Sequence, residues 1–319
     1  AEETHLVSLT EALQARVAKT PDSAKQLQAA PEQVQLQELL EPLIDTDDYL
    51  GFAIINNAGL ILAAGARDKH VIGQQLSVQG QARFAGIFTR QGNWIPPFWR
   101  GRYLDIESMQ EDATLMGVTA TITGNNGRLQ AALLLFIPPE KDFTRILSSA
   151  RMGESGDTYA FDEGGRMLSD TRHLEALKSA GILPPEPTVR AILRIELRDP
   201  GGNLLRGYQA DTPMAGRPLT RLIATAISDE SRTHVMLDRY RDYRGVPVVG
   251  AARWLPHLGF GVATEVNAAE AFGALRPIEI SVWVISVLLL AALAGLVVFS
   301  VIVRRMGQRI EEIRQLGQY

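Results

Sequence analysis

The chain has 319 residues, 46% hydrophobic and 21% charged, with a formal net charge of −4 and no cysteine. That balance carries no basic footprint for nucleic acid, and it excludes disulfides, thiol catalysis and Cys-ligated zinc. Whatever folds here is held by packing alone, over a length that supplies two modest cores outside any membrane segment.

Leu6, Leu9, Leu13 and Val17 recur at helical spacing and predict an amphipathic helix over residues 2–19, ended where Thr20 precedes Pro21. The sequence opens on Ala1 rather than Met, with no apolar span or signal peptide ahead of it, so it is expected to be a fragment trimmed at its N-terminal end. A second helix starts at Pro31 and carries Val34, Leu36, Leu39, Leu40 and Leu43. From Gly51 the pattern turns to strands: FAIINN, a turn at Ala58-Gly59, then LILAA. Further on, LMGVTATIT and RLQAALLLFI flank Gly124-Asn125-Asn126-Gly127, which predicts a hairpin with a type I′ turn. Pro138 and Pro139 stop that strand before a short helix over residues 140–147.

The same grammar then repeats. DTYAFDEGGRMLSD, residues 157–170, lies over residues 51–64, with Gly165 answering Gly59 and Asp162 answering Asn56. Gly245 to Gly250 begins a hairpin ending in FGVATEV, which runs into a short helix over residues 268–275. Two tandem copies of one α/β module, with a boundary near Arg151 to Glu154, account for this better than a single large sheet.

Residues 280–303 then run for twenty-four positions without a charge, a helix of about 36 Å that spans a bilayer. Arg304, Arg305 and Arg309 follow it, which places the C-terminus in the cytoplasm and the two modules outside. Val303, Met306, Ile310 and Ile313 form an a/d seam that predicts a parallel homodimer.

No catalytic signature emerges. Gly259-Phe260-Gly261 lacks the third glycine of a dinucleotide fingerprint, Gly153-Glu154-Ser155-Gly156 is not a hydrolase elbow, and the five histidines have no paired spacing. The expectation is therefore no catalytic residue, no metal and no cofactor. One constellation suits binding: WIPPFWRGRYLD sets Trp94, Phe98, Trp99 and Tyr103 among Arg100, Arg102 and Asp105. Aromatic walls with one or two fixed charges fit a small carboxylate or a cation. The alternative is that these aromatics plug the distal core, with the arginines solvated at its rim. Tyr159, Arg172, Tyr240, Tyr243 and Trp254 are a weaker second set, for which sheet packing is the rival account.

RMGESGDTYAFDEGGRMLSDTR, followed by YRDYRGVPVVGAARWLPHLGFGVATEVNAAEAF running into a membrane helix, resembles the membrane-proximal half of a double Cache domain, an extracytoplasmic sensor of bacterial receptors. The resemblance covers roughly residues 1–275. It implies an α+β fold of two PAS-like Cache lobes on a long N-terminal helix that rises from a first transmembrane segment, with a ligand pocket in the distal lobe. The expected organisation is a stalk helix over 1–30, a distal lobe over 31–150, a proximal lobe over 151–275, a transmembrane helix over 278–303 and a cytoplasmic linker over 304–319. The family's amino-acid-binding pattern wants Arg, one residue, then Trp-Tyr, with an Asp on the last strand of the lobe. Here Phe98-Trp99-Arg100 has another order and the strand offers Leu135 and Phe136, so a carboxylate without an amine fits better, held by Arg100 or Arg102.

RIEEIRQLGQY resembles the lead-in to a bacterial serine/threonine protein kinase, although the Gly-rich loop that follows in such kinases is absent from this sequence, and an ordinary juxtamembrane tail is the rival account. Similar sensors precede histidine kinases, nucleotide cyclases and chemoreceptors. The expected protein is thus an inner-membrane, single-pass receptor fragment with a periplasmic sensor. Its partners are a small-molecule ligand, the lipid bilayer and a second copy, and it has no enzymatic activity of its own. A ligand-free structural or adhesion module is the rival from another class.

Overall fold

The computed structural model describes residues 2–19, 23–46, 49–84, 93–99, 114–141, 143–229, 233–273 and 276–316. It divides into two compact units, residues 1–267 and 268–319. The first is a mixed α/β body with two antiparallel sheets, and the second is a short helix followed by one long apolar helix.

In the first lobe, helices α1 (Glu2–Lys19), α2 (Ser23–Gln28) and α3 (Pro31–Thr46) precede strands β1 (Gly51–Asn56) and β2 (Ile61–Ala64). Helix α4 (Val78–Phe84) leads toward β3 (Asn93–Trp99), β4 (Thr114–Thr123) and β5 (Leu129–Ile137), and the sheet order is β2-β1-β5-β4-β3. Leu9 and Leu13 of α1, Leu27 of α2, and Leu36 and Leu40 of α3 join the sheet in one core, so the N-terminal helices are part of the distal lobe's packing. Helix α3 covers the exposed edge of β2. Gln33 and Gln37, one helical turn apart, donate to the carbonyls of Leu62 and Ala64, two residues apart on the strand, at 2.7 and 3.3 Å. That satisfies the alternate acceptors a bare edge would offer to another chain.

Helix α5 (Phe143–Ser149) connects to the second lobe, built from β6 (Asp157–Phe161), α6 (Leu174–Ser179), α7 (Arg221–Ser228), β7 (Thr233–Arg241), β8 (Pro247–Leu255) and β9 (Phe260–Asn267). Its order is β6-β9-β8-β7, and Met167 bridges the free side of β6 where β2 stands in the first sheet. The repeat expected from the sequence is therefore present as one strand order used twice. The turns repeat atom by atom: Asn56 and Asp162 each donate their N–H to the carbonyl four ahead, accept the N–H of that same residue on the side-chain Oδ1, and accept the glycine N–H three ahead on the carbonyl, at 2.9 Å in both. Gly59 and Gly165, at φ 79 and 76, occupy the left-handed position that closes this turn.

The Gly124–Gly127 turn differs from the type I′ expectation. Only Gly127 takes positive φ, at 72, while Gly127 N–H donates to the Gly124 carbonyl and Gly124 N–H to the Arg128 carbonyl. The loop is one residue longer than a two-residue turn, and the register shift between Ile122 and Thr123 absorbs the difference, as in a type I turn with a glycine bulge.

In the second unit, α8 (Ala268–Ala271) is followed by α9 (Arg276–Leu316), which runs unbroken for 41 residues through the apolar stretch and into the expected linker. Among the described residues it is the one helix long and apolar enough to cross a membrane, over 280–309, and none of that span is buried.

Candidate functional site

Strand β3 decides which aromatics face which lobe. Ile95 pairs with Gly117 and Phe98 with Leu115, so Pro96 and Pro97 together stand opposite Met116. This is a bulge of one residue at a place where two prolines offer no N–H to the ladder, on an edge strand that tolerates it. The bulge resets the strand's alternation. Ile95 and Phe98 are buried in the distal core, while Trp94 and Trp99 fall on the other side of the phase change and meet the proximal lobe.

Trp94 donates its indole N–H to the Leu258 carbonyl at 2.9 Å, and its ring lies 5.5 Å from Phe143 and 4.8 Å from Phe260. These rings sit with Ala160, Leu168, Leu147 and Leu193 in a small apolar cluster joining the two lobes. Leu193 (φ 59) is the one non-glycine with positive φ among the described residues, a strained backbone held in this joint. Trp99 stacks under the Arg194 guanidinium, 4.8 Å from the ring centre. Of the three expected site residues that are described, Phe98 lines a cavity in the first lobe and Trp94 and Trp99 belong to the joint; Arg100, Arg102, Tyr103 and Asp105 lie outside the described residues.

The cavity beside Phe98 lies against the first sheet, lined by Phe52, Ile55, Ile61, Leu76, Phe84 and Leu134 among others, with Asp68 the one charged group among the described residues. It measures about 30 Å³, room for a water-sized group. Phe84 and Phe98 meet edge to face at 6.2 Å. Next to it opens a cleft of about 460 Å³, between the end of α3, the start of β1 and the turn Ala66–Val71, within the size range of metabolite sites. Glu41, Tyr49, Arg67, Asp68 and Lys141 line it, and Asp68 is shared with the cavity. Sequence reasoning missed these charges. The available signal was Gly65-Ala66-Arg67-Asp68-Lys69, a charged run directly after a fully apolar strand.

In the proximal lobe, Tyr159, Tyr240, Tyr243 and Trp254 are core residues, and Arg172 is tied to the Gly153 carbonyl at 2.8 Å. Among the described residues no three His, Asp or Glu side chains gather as a metal would need.

No protein-family model matches the chain, and no curated protein matches its sequence. Solved structures are similar over most of it. An extracellular ligand binding receptor from Desulfohalobium retbaense is 12% identical, with a TM-score of 0.40, over 83% of this chain; the chain spans 39% of that receptor. The sensor domain of the V. cholerae histidine kinase DctB is 12% identical, with a TM-score of 0.44, over 82% of this chain and 95% of its own. The ligand-binding domain of the Campylobacter jejuni chemoreceptor Tlp3, solved with L-valine, is 12% identical, with a TM-score of 0.41, over 84% and 88%.

Proposed function

We propose that the chain is the extracytoplasmic input module of a bacterial membrane receptor, with one membrane-crossing helix in this stretch and without enzymatic activity of its own. One observation carries this reading: a single strand order built twice, in a unit that continues covalently into a helix bare enough for lipid. The arginines after that helix put the C-terminus in the cytoplasm and both lobes outside.

The ligand is a small organic acid seated in the distal cleft. Arg67 and Lys141 supply positive charge for its carboxylate, Glu41 and Asp68 accept from any hydroxyl it carries, and the apolar cavity past Asp68 takes a group no larger than a methyl. Binding changes the distal lobe, the Trp94 joint passes the change to the proximal lobe, and β9 leads it into the membrane segment. A ligand shifts such an equilibrium only by its differential affinity for the two states, about 1 to 3 kcal/mol in typical coupled systems. The effector is a serine/threonine protein kinase, supported by the LGQY end; the same input serves a histidine kinase, cyclase or chemoreceptor. Two copies pair along Val303, Met306, Ile310 and Ile313, on one face of α9.

The test is a thermal-shift screen of the whole chain in detergent against organic acids, amines, sugars and nucleobases. An organic acid at a hundred times its Kd adds about 2.7 kcal/mol, and Arg67→Ala removes the shift. A shift from amines alone, or one untouched by Arg67→Ala, contradicts the acid reading, and no shift from any class favours the adhesion module.

A further inference from the structure

The proximal lobe holds converging polar side chains that this reading leaves unused. Glu265, on the central strand β9, is 3% exposed. Its Oε2 accepts the Tyr159 hydroxyl of β6 at 2.8 Å, and its Oε1 accepts the Tyr240 hydroxyl of β7 at 2.7 Å. Tyr240 reaches across β8 because position 250 is glycine. A Cβ there would stand 2.9 Å from both the Tyr240 hydroxyl and Glu265 Cγ, and 2.5 Å from the Thr264 carbonyl oxygen. One polar rung thus crosses the whole sheet.

Among the described residues Glu265 has no ion-pair partner. Arg244, in the β7–β8 turn, is committed elsewhere: Nε and NH2 hold Asp242 at 2.7 and 2.6 Å, and NH2 donates to Asn267 Oδ1 at 3.1 Å. The groups around the rung are Tyr159 and Asp157 from β6, Tyr240 from β7, and Asp242, Tyr243 and Arg244 from the turn. Arg221 at the head of α7 acts on Tyr240, His173 precedes α6, and β8 presents Gly250. Asp157 is already occupied by the Thr171 hydroxyl, the Arg172 N–H and Arg151.

Burial moves these groups away from their ordinary ranges. Burial, with Arg244 nearby, lowers His173 to about 4, so it stays neutral. Burial raises Tyr159, Tyr240 and Tyr243, which keep their protons. Burial raises Asp242 too, against the pull of Arg244 and two backbone N–H groups. Glu265 is lifted by burial and by the Asp242 charge to about 7, while its two phenol donors and Arg244 pull the other way.

We infer that the proximal lobe is a second input whose ligand is the proton: Glu265 exchanges one proton with solvent between its two tyrosines, and the last residues of β9 respond. When Glu265 is ionised both phenols donate to it, as found here, and Arg244 holds Asp242 and Asn267. When it takes a proton, one carboxyl oxygen becomes the donor and the phenol facing it must turn, so the ties of β9 to β6 and β7 are remade two residues before Asn267. Asn267, at the end of that strand, stands opposite Val248 of β8, accepts from Arg244 and donates its N–H to Ser155 Oγ at 3.0 Å, so the change is felt where the chain leaves for the membrane helix. This rests on the sensor reading only for its consequence, because the proton site is tested without any ligand.

The experiment is a carboxyl ¹³C NMR titration of the Glu-labelled full chain in lipid nanodiscs, with hydrogen exchange of residues 261–267 followed over the same pH series. The expected result is one glutamate titrating near 7, absent in Glu265→Gln, and an exchange change in 261–267 with that midpoint which Glu265→Gln loses. Tyr240→Phe, which removes one donor and keeps the ring, raises the midpoint, and it identifies the resonance even where Glu265→Gln does not fold. A Glu265 midpoint near the ordinary 4.5 overturns the proposal, as does an exchange response equally present in Glu265→Gln.

Discussion

Glu265 enters the folded state with its carboxyl held near 7 rather than 4.5, because burial penalises its charged form. Below about 4.5 the folded and unfolded chains both carry the proton there, and stability is undiminished. Between 4.5 and 7 the unfolded chain has released a proton that the folded chain keeps, so stability falls as pH rises, by on the order of 3 kcal/mol, and it levels off above 7. His173, lowered to about 4, contributes the opposite slope over much of this window, so urea unfolding should show the Glu265 decline as the difference between the natural chain and Glu265→Gln. Gly250→Ala forces a methyl into the Thr264 carbonyl and parts Tyr240 from Glu265, at a cost of about 1 to 3 kcal/mol in the same assay. The sequence carried part of this. In FGVATEV, Glu265 alternates with Gly261 and Ala263 on one face, which marks a glutamate facing inward, but nothing along the chain reveals that Tyr159, over a hundred residues away, would meet it.

At the scale of elements, β3 explains both what was legible and what was not. Its aromatics were readable as a functional cluster, yet strict alternation puts Trp94 and Phe98 on one face, and the Pro96-Pro97 bulge separates them. One face became the wall of the distal cavity and the other the joint between lobes. Trp94→Phe, which loses the bond to Leu258, should cost about 1 kcal/mol, and Trp94→Ala about 3, with increased hydrogen exchange at Phe260 and Phe143. Edge protection by α3 escaped sequence reading because Gln33 and Gln37 look like solvated helix positions until β2 lies beside them. Gln33→Leu leaves the Leu62 carbonyl unpaired and should cost about 1 to 3 kcal/mol by chemical unfolding.

At the scale of the whole molecule, the tandem arrangement was legible because turns recur at fixed offsets: an Asx residue three positions ahead of a glycine with positive φ, at Asn56, Asp162 and again at Asp242 ahead of Gly245. The second sheet's shortened fifth position was not legible, since Met167-Leu168 reads as strand in composition but makes a single bridge. The apolar helix was plain from its charge-free run, and it continues unbroken through Arg304, Arg305 and Arg309 to Leu316. Everything proposed for function depends on which side of the bilayer the lobes occupy. The chain has no cysteine, so single cysteines at exposed Arg128, Glu163 and Gln308 are unique labels. In spheroplasts treated with a membrane-impermeant maleimide, Arg128→Cys and Glu163→Cys should react at once, and Gln308→Cys only after the membrane is opened. Labelling at Gln308→Cys in intact spheroplasts, with the two lobe positions protected, would contradict the account.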